Sequence, residues 1–357
     1  MTRVLTYPDI DPQQWQALVD RSPYATWFQT PEAYQFYASV PDEMKPFAVG
    51  VQCDNKLVGV CVGYITQTKN PLKQFLTRRA IIIGGPLLDE HISDEALSAL
   101  LSAIAQCKVE GLKFKGVENS KADTPASTPY TLHPTPIYIE SRNFHDYSKW
   151  KTIFEHSGFA YQPHLNFHVD TSSVEVVDKN LGKSRKRDIR TTIRDGVTPV
   201  YQPTIAQVKE YYQILLNLYT TKVKTPLFSW NFFEQLHRTE HARFILTEYQ
   251  GRIIGGTVCV ELPDRALYEW FACGEDGVYD HIYPSCYATY LGIKFAAESG
   301  CQIFDMMGAG KPDEAYGVRD FKAKFGGEQV EHGRFLCVRK PLLYWIGKIG
   351  VKLLKKR

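Results

Sequence analysis

Apolar and polar positions alternate along this chain in an order that occurs twice. The stretch "FAVGVQCDNKLVGVCVGYI" from Phe47 and the stretch "FILTEYQGRIIGGTVCVEL" from Phe244 share one pattern. Each is an apolar run, a polar turn, a basic–apolar–apolar–Gly step and a second apolar run, which predicts a β-hairpin. Lys56-Leu57-Val58-Gly59 answers Arg252-Ile253-Ile254-Gly255. Downstream, helical "SDEALSALLSAIAQCKVEG" leads to the strand "PIYIESRN", and "SCYATYLGIKFAAESG" leads to "CQIFDMMG". Then "YSKWKTIFEHSGF" answers "YGVRDFKAKFGG", a helix ending in glycine with a strand after it. In the second of these, Val318, Phe321 and Phe325 recur at helical spacing, which predicts that they share one face, and Gly326 and Gly327 end the helix.

A repeat of this length sets the architecture before any single element does. The unit order (helix, hairpin, further strand, helix, strand, helix, strand) predicts a mixed α/β fold in two copies. The boundaries read as 1–172 for the first unit, 173–340 for the second and 341–357 for a tail. The polar stretch "ENSKADTPASTPYTLHPT" predicts a flexible insert at about 118–135. A length of 357 residues allows two domains with ample core. The formal charge of +3 argues against a general polyanion binder. Eight scattered cysteines without a C-x-x-C pair argue against a zinc site and a disulfide scaffold, and favour a reducing, cytoplasmic compartment. The N-terminus has no apolar segment of the signal-peptide kind, and no run approaches a membrane span.

Candidate chemistry gathers in three places. The Gly-rich loop "GAGKPDEAYG" opens the helix carrying Arg319, Lys322 and Lys324, an arrangement suited to an anionic ligand or to simple solvation. Asp305 ends the strand before that loop, where a carboxylate beside a cleft could accept a proton or make an ion pair. The run "KSRKRDIRTTIRDGV" holds Lys183, Arg185, Lys186, Arg187, Arg190 and Arg194, enough charge for phosphates or for a solvated linker. Arg190 and Arg194 lie four apart and share a helix face. In "HLNFHVD", His164, Asn166 and His168 alternate on one strand face and read as structural, with no third metal ligand beside the two histidines.

Three stretches, "YATWFQTPEAYQFY", "SRKRDIRTTIRDGV" and "IFDMMGAGKPDEAYGVRDFKAKFGG", together resemble the FemABX family. That family comprises aminoacyl-tRNA-dependent transferases of peptidoglycan bridge formation, built from two tandem GNAT-like acyltransferase domains. The resemblance implies that the first unit binds the acceptor and that the second transfers the acyl group. Phe321-Lys322 matches the family's Phe-Lys pair, so Lys322 is expected to stabilise charge on the aminoacyl ester, with Asp305 as the second catalytic candidate. Arg194, before Asp195-Gly196-Val197, stands where the family contacts acceptor phosphate, with Arg190 beside it. Arg319, Phe321, Tyr316 and Tyr283 are the remaining candidates around the cleft. Glu140 and Arg142 end the equivalent strand of the first unit; Arg142 stands where the family usually has an acidic residue. The segment 204–243 leaves no room for the helical hairpin that serves some members as a tRNA-binding arm.

The expected activity is transfer of an aminoacyl group from aminoacyl-tRNA to an amine of a peptidoglycan or other envelope precursor, with no cofactor and no metal. The precursor would be lipid- or nucleotide-linked. An acyl-CoA donor is less favoured, because the usual Q/R-x-x-G-x-G/A pyrophosphate turn is absent. A non-catalytic membrane- or RNA-binding module is a further reading. The tail "KPLLYWIGKIGVKLLKKR" pairs an apolar face with five cations between Lys348 and Arg357, an interfacial-helix pattern that suggests peripheral contact with the inner face of the cytoplasmic membrane.

Overall fold

Both predicted hairpins form, and they form alike. The computed structural model describes residues 1–106 and 135–355. The insert expected at about 118–135 lies, but for its last residue, outside the described residues. The first half supplies β1 (Thr2–Thr6), β2 (Met44–Cys53), β3 (Lys56–Thr66), β4 (Ala80–Gly84), β5 (Leu87–Leu88), β6 (Tyr138–Asn143), β7 (Ala160–Gln162) and β8 (Leu165–Asp170). The second supplies β9 (Thr198–Val200), β10 (Ala242–Tyr249), β11 (Arg252–Leu262), β12 (Ala266–Gly274), β13 (Ile303–Asp305), β14 (Glu328–Glu331) and β15 (Arg334–Val338).

The β2–β3 and β10–β11 turns each place two successive residues at positive φ: Asp54 and Asn55 in the first, Gln250 and Gly251 in the second. Two such residues suit the right-handed twist of a tight hairpin. Each ladder then slips by one residue, after Val51 and after Thr247, and Gly59 and Gly255 resume the pairing. A side chain at Gly59 would lie 3.0 Å from Val51 and 3.1 Å from Leu100 on the overlying helix Asp94–Gln106. One at Gly255 would lie 2.9 Å from the Cys273 carbonyl and 3.1 Å from Pro284, which begins the helix Pro284–Glu298. The shared glycine thus marks a place where a helix seats closely on the sheet.

The chain forms two mixed sheets, as expected of two tandem GNAT-like units. One runs β1-β2-β3-β4-β6-β15-β7, with β5 on β3; the other runs β14-β8-β13-β12-β11-β10-β9. Each contains one parallel pair, β4–β6 and β12–β13. Sequence position alone puts β8 in the first unit and β15 in the second. Instead β8 lies between β13 and β14, and β15 lies between β6 and β7. The last strand of each repeat therefore completes the sheet of the other.

A single hydrophobic cluster runs through both units. Trp270, the extra residue where the β11–β12 register shifts, meets Phe28 at 5.0 Å and Phe232 at 5.3 Å between ring centroids. Phe144 stacks on Tyr268 at 5.5 Å. The segment 204–243 holds two helices, Ile205–Leu218 and Trp230–His237, whose apolar faces join this cluster. No helix among the described residues is long and apolar enough to cross a membrane.

Phe335 on β15 stacks on Phe154 of the first repeat, with centroids 3.9 Å apart and planes 10° apart. Phe335→Ala is expected to cost about 3 kcal/mol in a denaturant melt. Amide exchange should quicken first in β6 and β7, not in β10–β12. Equal quickening in both sheets would contradict the placement of β15.

Candidate functional site

The parallel β12–β13 ladder pairs Ala266 with Ile303, Leu267 with Phe304 and Tyr268 with Asp305, and then stops. Beyond it β12 continues to Gly274, while the chain after Asp305 bends towards β8. Met306 N–H donates to the Phe167 carbonyl, and Ala309 N–H to the Leu165 carbonyl. The two strands therefore part at Asp305. Met307 (φ 50°), Gly308 (φ 91°) and Gly310 (φ 78°) take the turn in left-handed conformations.

Lys322 reaches back to this turn from the helix Gly317–Lys322. It is only 8% exposed, which removes the solvated reading of this lysine. Its ammonium donates to the Met306 carbonyl and to the Gly308 carbonyl, the latter at 2.9 Å. An ammonium has three N–H donors, so beside these two acceptors one is left for a ligand. Burial lowers the Lys322 pKa, against the pull of Glu269 and Asp305, which favour its charged form. Arg319 binds the same loop through the Ala309 carbonyl at 2.9 Å and the Lys311 carbonyl. The face predicted for this helix is different in the structure: Val318 is exposed, and Lys322 and Phe325 turn inward. The loop carbonyls give the lysine the polar partners that its burial requires.

Asp305 is 2% exposed, and its partner is a histidine. His168 Nε2 lies 3.2 Å from one carboxylate oxygen. The Asn166 amide and the Met307 N–H each donate to the other oxygen at 2.7 Å. Burial alone would raise the Asp305 pKa; these donors and the His168 charge outweigh it and leave the carboxyl below its ordinary value. Burial works against the His168 charge, yet the bond to Asp305 leaves its pKa raised. Asn166 also accepts the Gly308 N–H at 2.9 Å. From this strand face Asn166 and His168 thus support the loop and Asp305, a role the sequence did not reveal. Glu269 was missed too. It is 6% exposed on β12, takes hydroxyl bonds from Thr289 at 2.9 Å and Thr257 at 3.3 Å, and has a pKa raised by burial.

A second polar cluster sits in the other sheet, where Arg334 pairs with Arg142 across the β15–β6 ladder. Glu140 bridges them, accepting from Arg142 at 2.9 Å and Arg334 at 2.8 Å. Burial opposes ionisation of Glu140, but the two guanidiniums hold its pKa down at about 2. Arg334 also donates to His164 Nε2 at 2.8 Å.

The helix Lys183–Arg194 divides its cations. Arg185 is buried, with its guanidinium 4.3 Å from the Phe321 ring and 5.0 Å from the Phe325 ring. This contact joins the basic helix to the Lys322 helix and leaves Phe321 partly buried. Arg190 and Arg194 face solvent, and Arg194 pairs with Asp195 at 2.8 Å. Tyr283 N–H donates to the Thr192 hydroxyl of the same helix at 3.0 Å, while Tyr316 is exposed beside Gly310. The structure thus brings together Lys322, Asp305 and Arg319, places Glu140 and Arg142 in a separate cluster, and keeps Arg190 and Arg194 on the basic helix, with Tyr283 bonded to it from the start of the helix Pro284–Glu298. Two surface clefts of about 580 and 600 Å³ are lined by neither Lys322, Asp305 nor Glu140.

The FemAB family model matches residues 235–352. These residues contain β12, β13, the loop and Lys322. FemX has a similar solved structure, with a TM-score of 0.67 and 13% identity over 96% of this chain and 99% of that one. The family match covers about a third of the chain, and the likeness to FemX along the full chain is one of fold. A C-terminal domain from Agrobacterium fabrum, assigned as a lysylphosphatidylglycerol synthetase, is also similar, with a TM-score of 0.55 and 10% identity over 95% of each chain. A tandem GNAT protein from the clavulanic acid biosynthesis pathway gives 0.52 and 8%, over 94% of this chain and 98% of that one. At these identities the structures speak for the fold alone. No curated protein matches the sequence.

Two half-buried histidines set an acid limit on this fold. Burial pushes the pKa of His145 and of His164 down to about 4. The folded chain keeps both neutral where the unfolded chain takes up protons, so stability falls as pH drops from about 6.5 towards 4. His168 has the opposite sign: its contribution is full below about 6.5 and is lost only above its raised folded pKa. Denaturant melts at about pH 7.5 and 5.5 should differ by about 1 kcal/mol per neutral histidine. His164→Gln should shrink that difference; an unchanged difference would show that His164 protonates in the folded state.

Proposed function

We propose that the protein is an aminoacyltransferase of the cell envelope. It moves an aminoacyl group from aminoacyl-tRNA to an amine of a peptidoglycan or other envelope precursor. The observation that carries this reading is the buried Lys322 ammonium, held at the fork of β12 and β13 with one N–H unused by its two loop carbonyls. The FemAB match, which spans that fork, supports the same reaction class.

In the transfer, the acceptor nitrogen attacks the ester carbonyl, a C–N bond forms and the C–O bond to the ribose breaks. The proton lost by the amine ends on the ribose oxygen. Negative charge builds on the carbonyl oxygen, and a fixed N–H donor in a dry site offsets it. Lys322 would take that role. Asp305, engaged by three donors and with a depressed pKa, is a poor proton acceptor and acts as a positioning residue for His168 and the loop. Glu269, whose carboxyl is pushed up by burial, is the better proton relay in the group. Arg190 and Arg194 would meet the acceptor's phosphate, and the Glu140–Arg142–Arg334 cluster its peptide. No cofactor is needed.

The test supplies purified protein with radiolabelled aminoacyl-tRNAs and an envelope precursor extract. Lys322→Ala should lower kcat by about 10²–10³. Arg194→Ala should instead raise the acceptor KM about tenfold, as the loss of one charge-assisted phosphate contact does. Product formed from acetyl-CoA and from no aminoacyl-tRNA would replace this reading with an acyl-CoA-dependent one.

A further inference from the structure

The tail helix Pro341–Lys355 does not stand alone. It packs against a second short helix, Pro71–Thr77, with the Lys340 ammonium 5.6 Å from the centre of the Phe75 ring. Both helices turn large apolar side chains to solvent: Leu72, Phe75, Leu76, Leu342, Trp345 and Ile346 are each between 44% and 70% exposed. On the longer helix, residues 342, 345, 346 and 349 recur on one face. Adjoining apolar residues on this scale mark an interaction surface.

Charge decides what covers it. Residues 69–79 carry four cations and residues 339–357 carry seven, with no acidic residue in either segment. These eleven charges exceed the whole-chain net of +3, so the rest of the chain is net acidic. A second copy docked symmetrically would set these cations against each other. An anionic lipid surface complements both the charge and the apolar side chains, since basic residues gather at headgroups while apolar ones enter the acyl boundary.

We propose that the helices Pro71–Thr77 and Pro341–Lys355 form one docking surface for an anionic bilayer. The surface is tied to the first-unit cluster through Tyr138. The Tyr344 ring lies 5.4 Å from it, edge on, and Arg79 donates to its hydroxyl at 3.4 Å. Tyr138 begins β6, and Arg142 follows about 13 Å along that strand. On the functional reading above, which this last step rests on, a lipid-linked acceptor reaches Glu140 and Arg142 from the bilayer side.

The test is co-sedimentation of the full chain with vesicles of phosphatidylcholine, with and without about an equal part of phosphatidylglycerol. Binding should need the anionic lipid and should weaken at least tenfold when salt rises from roughly 0.1 to 0.5 M. Leu76→Asp and Trp345→Asp, both at exposed positions and checked for native circular dichroism, should each lose binding by about tenfold or more. Lys348→Ala should weaken it about fivefold. Equal binding to neutral vesicles, or no binding at all, overturns the proposal. Unimpaired binding by Leu76→Asp also overturns it, because the tail would then act alone. A dimer in sedimentation velocity that Leu76→Asp dissolves, without vesicle binding, would make the face a contact between copies. None of these readouts depends on aminoacyl transfer.

Discussion

The exchange of last strands between the two repeats is the constraint on which the rest of the structure hangs. β8 leaves the first repeat to pair with β13 and β14, and β15 leaves the second to pair with β6 and β7. Each sheet is therefore continuous only because the other repeat lends it a strand. The same exchange builds both polar clusters. Opposite Asp305 the borrowed strand supplies His168, and opposite Arg142 the other borrowed strand supplies Arg334. The aromatic seam of Phe28, Phe144, Tyr268 and Trp270 then fills the space between the sheets.

The exchange also accounts for how a lysine can stay buried and charged on a helix as short as Gly317–Lys322. Removing an ammonium from water costs several kcal/mol, and a single surface ion pair would not offset that. Here two carbonyls take hydrogen bonds, and Glu269 and Asp305 add opposite charge. The carbonyls face Lys322 because the loop after β13 is held from behind. Asn166 binds Gly308 N–H, and backbone bonds from 306 to 310 fasten the loop along β8. Without β8 the loop would lose this backing.

Much of this architecture is legible in the sequence. The paired hairpins, the matched Gly59 and Gly255, and the two helix–glycine–strand segments follow from local periodicity and turn chemistry. Local pattern does not say which sheet a strand joins, because a strand of five or six residues fits the ladders of either. Position in the chain therefore assigns β8 and β15 to the wrong partners. The same limit hides the site. The alternation of His164, Asn166 and His168 is plain, but the carboxylate it serves lies 139 residues from Asn166. Glu269 sits in the apolar strand "LYEWF", where a lone acid carries no motif. Val318 reads as inward-facing by helical spacing, but so short a helix has its inner face chosen by the loop carbonyls that Lys322 meets.

Strand exchange also has a consequence for the order of events at the ribosome. β6 and β7 are made early, yet the strand that belongs between them, β15, emerges only after the other strands of the second repeat. Until then the first sheet has two unpaired edges, and β8 waits for β13 and β14. The N-terminal repeat cannot close while the C-terminal one is still being translated, so the two finish together. Folding completes only when both repeats have been made, and the nascent chain depends until then on whatever shields those open edges.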